Sequence, residues 1–264
     1  MNFSFVHITD HHLPETETAL TRGFSPVYAF RAVMRHIAEH VARQIDFIVT
    51  TGDLVEPTTD VAYQNLCKVL NLRAVSEAPG PQLVSLEGLN EFPMYFLPGN
   101  HDDRESFARY LFPPYPPAAT TNFVFQHKGV QFISLDWGAE SKAVASPEML
   151  EHLTSALKSD LPSILLMHHH VISVGSRWLD NFIADEVDNF WDIVTNQNVL
   201  GIFSGHVHIT YEKQVDGIPV YGLRSTAFPI ALQDDPLLTL QPPHYRLVSV
   251  QDGILTTGIF EVPL

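Results

Sequence analysis

The chain has 264 residues, enough to bury a large core as one layered α/β domain. Its formal net charge of −15 argues against a nucleic-acid backbone or an anionic membrane as standing partner. A single cysteine, Cys67, excludes an internal disulfide and a zinc–thiolate site, so imidazoles and carboxylates are the groups left for metal chemistry.

Phe3 to Thr9 reads as a buried strand that ends at Asp10-His11-His12. It begins too early to leave room for a signal peptide, and no apolar run approaches the roughly 18 residues of a membrane span, so a cytoplasmic protein is expected. Apolar positions at Val27, Phe30, Val33, Met34, Ile37 and Val41 carry helical spacing over residues 26 to 43. Ile45 to Thr51 is the next strand, ending at Gly52-Asp53, and a helix over about 60 to 72 follows with Thr58, Thr59 or Asp60 as its cap. Residues 73 to 91, with Pro79-Gly80-Pro81, read as a surface excursion. The run Phe92 to Pro98 is a third strand, ending at Gly99-Asn100-His101-Asp102, and a short helix covers Arg104 to Leu111.

Phe112-Pro113-Pro114-Tyr115-Pro116-Pro117 excludes helix and reads as a stiff loop within one domain. Lys128-Gly129 joins the strands Asn122 to Gln126 and Val130 to Leu135 as a hairpin. Ser146 caps a helix that has Pro147 at its first position and runs to Leu157. Ile164 to Met167 is a buried strand ending at His168-His169-His170. A helix over about 185 to 194 leads to the strand Val199 to Ser204, which ends at Gly205-His206-Val207-His208. Strands over about 209–215, 218–223, 245–250 and 254–261 complete the chain, with Asp216-Gly217 and Asp252-Gly253 as turns. The alternation predicts two sheets face to face with helices outside, one domain over 1–264 with a β-rich part from about 205.

Five strand ends therefore carry polar clusters: Asp10/His12, Asp53, Asn100/His101, His168 and His206/His208. Carboxyl ends of strands converge on one rim, where ligands bind in open sheets. Two carboxylates, an amide and four imidazoles are too many for one tetrahedral ion but suit two ions sharing a carboxylate. Taken singly these positions are ordinary. A lone D-x-H is usually a turn with a surface histidine, Gly52-Asp53 a strand-ending turn, and Asn100 a turn residue. Their order, each after an apolar run, gives them weight.

D-x-H, G-D, G-N-H-D, H and G-H-x-H in this order resemble the calcineurin-like metallophosphoesterases over nearly the whole chain. The H-H-H…W-L-D stretch from His168 to Asp180 is most similar to the bacterial class III cyclic-nucleotide phosphodiesterases and their glycerophosphodiesterase relatives. The resemblance implies a four-layer αββα sandwich. It implies one metal held by Asp10, His12, Asp53 and His208, a second held by Asp53, Asn100, His168 and His206, and in-line attack on phosphorus by a hydroxide between them. His101 would stabilise the phosphorane or protonate the leaving oxygen, oriented by Asp102, and Asn100, His101 and His169 would meet the substrate. Val171 replaces the proline many relatives carry after the histidine run, which leaves the register among His168, His169 and His170 open.

The expected activity is phosphodiester hydrolysis with two divalent or mixed-valence ions (Fe, Mn, Zn or Co) on a small-molecule substrate, first a 3′,5′-cyclic nucleotide such as cyclic AMP. A glycerophosphodiesterase, a broad-specificity phosphoesterase and a non-catalytic scaffold of the same fold are the alternatives. Copies of the chain are free to associate, with the β-rich tail as a candidate interface. His244 reads as an exposed loop residue before a pocket residue, Asp136-Trp137 as a turn or a support for the site, and Arg177, Trp178 and Arg224 as packing groups or contacts to a phosphate or base.

Overall fold

A computed structural model describes residues 1–72, 80–111 and 121–264. Two six-stranded mixed sheets face each other. The first has β1 (Asn2–Ile8), β2 (Phe47–Thr51), β3 (Gln82–Leu86), β4 (Leu89–Leu97), β11 (His244–Gln251) and β12 (Ile254–Glu261), in the order β12-β11-β1-β2-β4-β3. The second has β5 (Phe123–His127), β6 (Val130–Leu135), β7 (Ser163–Met167), β8 (Val199–Ser204), β9 (Tyr211–Val215) and β10 (Ile218–Gly222), in the order β5-β6-β7-β8-β10-β9. Helices α1 (Pro26–His40), α2 (Asp60–Leu70) and α3 (Arg104–Leu111) contribute buried residues to the outer face of the first sheet. Helices α4 (Pro147–Ala156) and α5 (Val187–Val194) do so for the second. The expected αββα layering is thus the observed one.

Within each sheet the site-bearing strands run parallel: β1 with β2, β2 with β4, and β7 with β8. Their carboxyl ends therefore emerge at common edges. Between the sheets lies an aromatic layer. Phe5 stacks on Phe47 at 5.3 Å and meets Phe132 and Phe203 of the other sheet edge-on, at 5.5 and 5.7 Å. Phe5, Phe132 and Phe203 are wholly buried, each such side chain contributing about 1.5–3 kcal/mol of transfer free energy.

Local chemistry sets the ends of the elements. Thr59 Oγ1 accepts from the Ala62 N–H at 3.2 Å and Ser146 Oγ from the Met149 N–H at 3.2 Å, so both are N-caps. Lys128-Gly129, Asp216-Gly217 and Asp252-Gly253 all take positive φ, as two-residue hairpin turns require. One expectation fails. The end of the 73–91 stretch is not a surface excursion but β3 and the start of β4, joined at Glu87-Gly88, both at positive φ. The Pro79-Gly80-Pro81 signal hid a five-residue edge strand with alternating burial. The proline connector from Phe112 to Pro117 falls outside the described residues, as do 73–79. No helix among the described residues is long and apolar enough to cross a membrane.

Candidate metal centre

The seven side chains expected at the strand ends meet at one place. Asp10 and His12 follow β1, Asp53 follows β2 and Asn100 follows β4; His168 follows β7, and His206 and His208 follow β8. Asp10, His12, Asp53, His206 and His208 all have positive φ, a backbone that turns each side chain out of its strand direction. Two glycines let the loops close. A Cβ on Gly99 would stand 2.1 Å from Asp53 Oδ1, and one on Gly205 would stand 2.0 Å from Thr9 Oγ1. Only a residue without a Cβ permits that approach.

Donor atoms of Asp10, His12, Asp53 and His208 all lie within 4.8 Å of one another, and all four residues are buried. His208 Nε2 is 3.2 Å from Asp10 Oδ1 and 3.1 Å from His12 Nε2, and His12 Nε2 is 3.6 Å from Asp53 Oδ2. Beside this group, Asn100 Oδ1 lies 3.1 Å from His168 Nε2 and 2.9 Å from His206 Nδ1, and Asp53 Oδ1 is 3.3 Å from His168 Nε2. Ligands about 2.1 Å from a shared ion stand roughly 3.0–3.4 Å apart, so most of these separations fit two adjacent cation positions with Asp53 between them.

The outward ring nitrogens explain why the inward ones converge. His168 Nδ1–H donates to Thr51 O at 2.7 Å and His208 Nδ1–H to Phe228 O at 2.8 Å, while His12 Nδ1 is 2.9 Å from Glu56 Oε2. The two carbonyls fix the tautomer that leaves Nε2 of His168 and of His208 with a free lone pair, the arrangement expected behind metal-binding imidazoles, and Glu56 sets a carboxylate beside the His12 ring. Charge agrees. Burial works to raise the Asp53 carboxyl, but the neighbouring His168, His12 and His101 hold it well below its ordinary range. Burial works to lower His168, yet Asp53 and Asp10 push it up to about 9. Both shifts mark a point that attracts positive charge. This donor set of carboxylate, amide and imidazole, with no thiolate, fits two borderline divalent cations.

His101 is only partly buried, its ring edge-on to His12 at 5.1 Å. Asp102 does not orient it. The Asp102 carboxylate accepts from the N–H groups of Leu54 (3.1 Å) and Gly99 (2.8 Å) and from the Tyr63 hydroxyl (2.9 Å), so it pins the loop and not the ring. Of the three consecutive histidines, His168 faces the centre. His169 is wholly buried behind it, its Nε2–H donating to Glu140 O at 2.8 Å, and it does not line the cleft as expected for a substrate contact. Burial, with His168 next to it, lowers His169 to about 3. All three histidines of the run are buried where the chain bends after β7, and the carbonyl partner of His169 holds its ring behind that of His168. His11 turns away too, held between Thr226 and Thr50 hydroxyls at 2.8 Å each.

Several supports were less visible. Glu56, with no motif around it, is the carboxylate on His12; the trio His12, Glu56 and His101 also brings donor atoms within 4.8 Å. Because the trio takes its His12 atom from the ring already facing the centre, it reads as an orienting pair and not as a further ion site. Asp136 supports the Asn100 loop at one remove: it binds Arg104 at 2.5 Å, and Arg104 donates to Gly99 O and Asp102 O at 2.6 and 2.5 Å. Asp180 of the W-L-D stretch closes its own loop on Ser173 and Val174 at 2.6 and 2.7 Å. Arg224 is taken up by Gln241, Pro242 O and Glu261, and Arg177 by Asp234; neither lines the cleft at the centre, which Trp178 does. His244 is neither exposed nor in that cleft. It is buried at the start of β11, its Nε2 accepting from the Arg224 N–H at 3.1 Å.

A family model described as calcineurin-like phosphoesterase matches residues 3–210. The chain is 29% identical over 271 residues to the 3′,5′-cyclic adenosine monophosphate phosphodiesterase CpdA of Vibrio vulnificus, covering 98% of this chain and 89% of that one. It is 27% identical over 267 residues to a 3′,5′-cyclic-nucleotide phosphodiesterase of Nostoc sp., covering 98% and 92%. Among solved structures, a dimetal phosphatase from Danio rerio has a similar fold, with a TM-score of 0.62 at 13% identity over 99% of each chain.

Proposed function

The chain belongs to the calcineurin-like phosphoesterase family, and we propose that it is a hydrolase of small-molecule phosphodiesters, with 3′,5′-cyclic nucleotides as first substrates. The observation that carries this reading is the convergence of seven donors from five strand ends, with two of the four imidazoles held from behind by carbonyls in the metal-binding tautomer.

Asp10, His12, Asp53 and His208 would hold one cation, and Asp53, Asn100, His168 and His206 a second. The pair supplies positive charge to the phosphoryl oxygens and lowers the pKa of the attacking water. The reaction adds water across one P–O ester bond, giving a monoester and an alcohol. His101, at the open side of the centre, gives a proton to the leaving ester oxygen or a hydrogen bond to the charge growing on phosphorus. Asp102 keeps His101 in reach by anchoring the loop through Gly99 and Leu54. Trp178, Phe182 and Phe228 line the cleft of about 150 Å³ that opens on the centre, so the organic part of the substrate lies against apolar surface.

The test is hydrolysis of bis(p-nitrophenyl) phosphate, p-nitrophenyl phosphate, cyclic AMP and a glycerophosphodiester by chelator-stripped protein, before and after Mn²⁺ is added. The reading expects metal-dependent cleavage of the diesters well above that of the monoester. Turnover that ignores the metal, or a preference for the monoester, would overturn it.

A further inference from the structure

Arg22 is the one lysine or arginine among the described residues lining the cleft. It occupies a corner of a two-residue turn in which Thr21 and Phe24 exchange both backbone hydrogen bonds, at 3.0 and 2.9 Å. Both corner residues have positive φ, 51° at Arg22 and 87° at Gly23. That conformation is disfavoured for an L side chain and suits glycine or asparagine, so the backbone gives no reason for an arginine there. The surroundings of the side chain do. The guanidinium lies over the Phe228 ring at 4.8 Å and 3.6 Å from Glu56, and the residue stays 47% exposed. Phe228 in turn stands 4.7 Å from the rings of both His12 and His208.

The Phe228 ring thus stands between the guanidinium and the imidazoles of the centre, so a diester whose phosphorus met the donors would reach Arg22 with its organic arm. Trp178, Leu179 and Phe182 also line the cleft and give the arm apolar surface. An arginine is a donor-only group with a planar fork of N–H bonds. In a cleft otherwise walled by aromatic and aliphatic side chains at that depth, it selects an arm that presents paired acceptors.

We infer that Arg22 is a specificity-determining residue that reads a two-acceptor edge on the organic arm of the substrate, an inference that rests on the diesterase reading above. In a cyclic nucleotide that edge is guanine O6 with N7, whereas adenine sets one acceptor beside a donor amino group. In a glycerophosphodiester it is a carboxylate, which takes the same fork.

The experiment compares kcat/KM of the Mn²⁺-loaded wild type, Arg22→Gln and Arg22→Lys on two substrate pairs: cyclic GMP with cyclic AMP, and glycerophosphoserine with glycerophosphoethanolamine. The wild type should favour the first member by about tenfold in at least one pair, and that pair identifies the arm. Arg22→Gln should bring the ratio close to one, and Arg22→Lys should keep part of a carboxylate preference but not of a guanine preference. Wild-type ratios near one in both pairs overturn the inference. So does an equal fall on all four substrates, which would make Arg22 only a prop for Glu56 and His12. If the wild type cleaves none of the four, the diesterase reading fails separately, and calorimetric binding of GMP against AMP decides for Arg22: tighter GMP binding that Arg22→Gln removes sustains it, and equal binding sinks it.

Discussion

The two sheets bring unlike chemistry to the rim they share. The first supplies both carboxylates, the amide and one imidazole, through Asp10, Asp53, Asn100 and His12; the second supplies His168, His206 and His208 alone. All the negative charge thus comes from one half and most of the nitrogen from the other. The buried four-residue group takes three members from the first sheet and closes only with His208 of the second. The difference teaches that the centre is a property of how the sheets pack, and that the aromatic layer beneath it is part of the site's construction.

That contrast can be broken most severely at Asp53, the first-sheet residue nearest both donor groups. Asp53→Asn should lower diester turnover by about 10³-fold or more and reduce bound metal, measured side by side in kinetics and elemental analysis. Unchanged metal content would remove Asp53 from between the two positions. The packing link is tested at Phe203, whose ring meets Phe5 across the sheets. Phe203→Ala should cost about 3–5 kcal/mol in denaturant unfolding and weaken metal binding with it. Full stability loss with intact metal affinity would show the rim to be independent of the layer below.

His101 sharpens the comparison from within the first sheet's share. His101→Ala should leave both metals bound and slow chemistry by about 10²-fold, most for substrates with poor leaving groups. Loss of a metal instead would make His101 a ligand. The smallest effect belongs to His244, which is buried outside the cleft. Burial, with Arg224 and Arg246 nearby, lowers its imidazole to about 3. The unfolded chain, with a histidine near 6.5, binds the extra proton first as the solution is acidified. The neutral ring's contribution is therefore present above about pH 6.5 and is lost as pH falls towards 3, by at most about 1.4 kcal/mol per pH unit. His244→Gln should flatten that limb, so that its stability deficit against wild type narrows between pH 7 and 5; a constant deficit would refute the assignment.

Most of the architecture was legible because its strands are short apolar runs with sharp polar ends, and the same ends carry the donors. Asn100 and His206 stood out for that reason. What escaped the sequence was either an element without a strong pattern or a partner without a motif. β3 has five residues beside a proline–glycine signal, and a turn signal outweighs so short an alternation. Glu56 acts across a long sequence separation, and nothing local distinguishes it from a surface charge; Asp136, read as a turn or a support, reaches the Asn100 loop only through Arg104. Asp102 misled in the opposite way. Its place beside His101 suggested a catalytic pair, but a loop that turns back on itself needs an acceptor for its own N–H groups, and Asp102 is that acceptor. His169 and His244 show that burial of a histidine has no sequence signature when a carbonyl or an N–H is waiting for it.

The measurement that bears most directly on a centre built from both sheets is Mn²⁺ titration of the stripped protein followed by electron paramagnetic resonance. Two ions per chain with an exchange-coupled spectrum are predicted, because Asp53 lies between the two donor groups. A single ion at saturation, or two with the spectrum of isolated Mn²⁺, would contradict the shared-carboxylate centre.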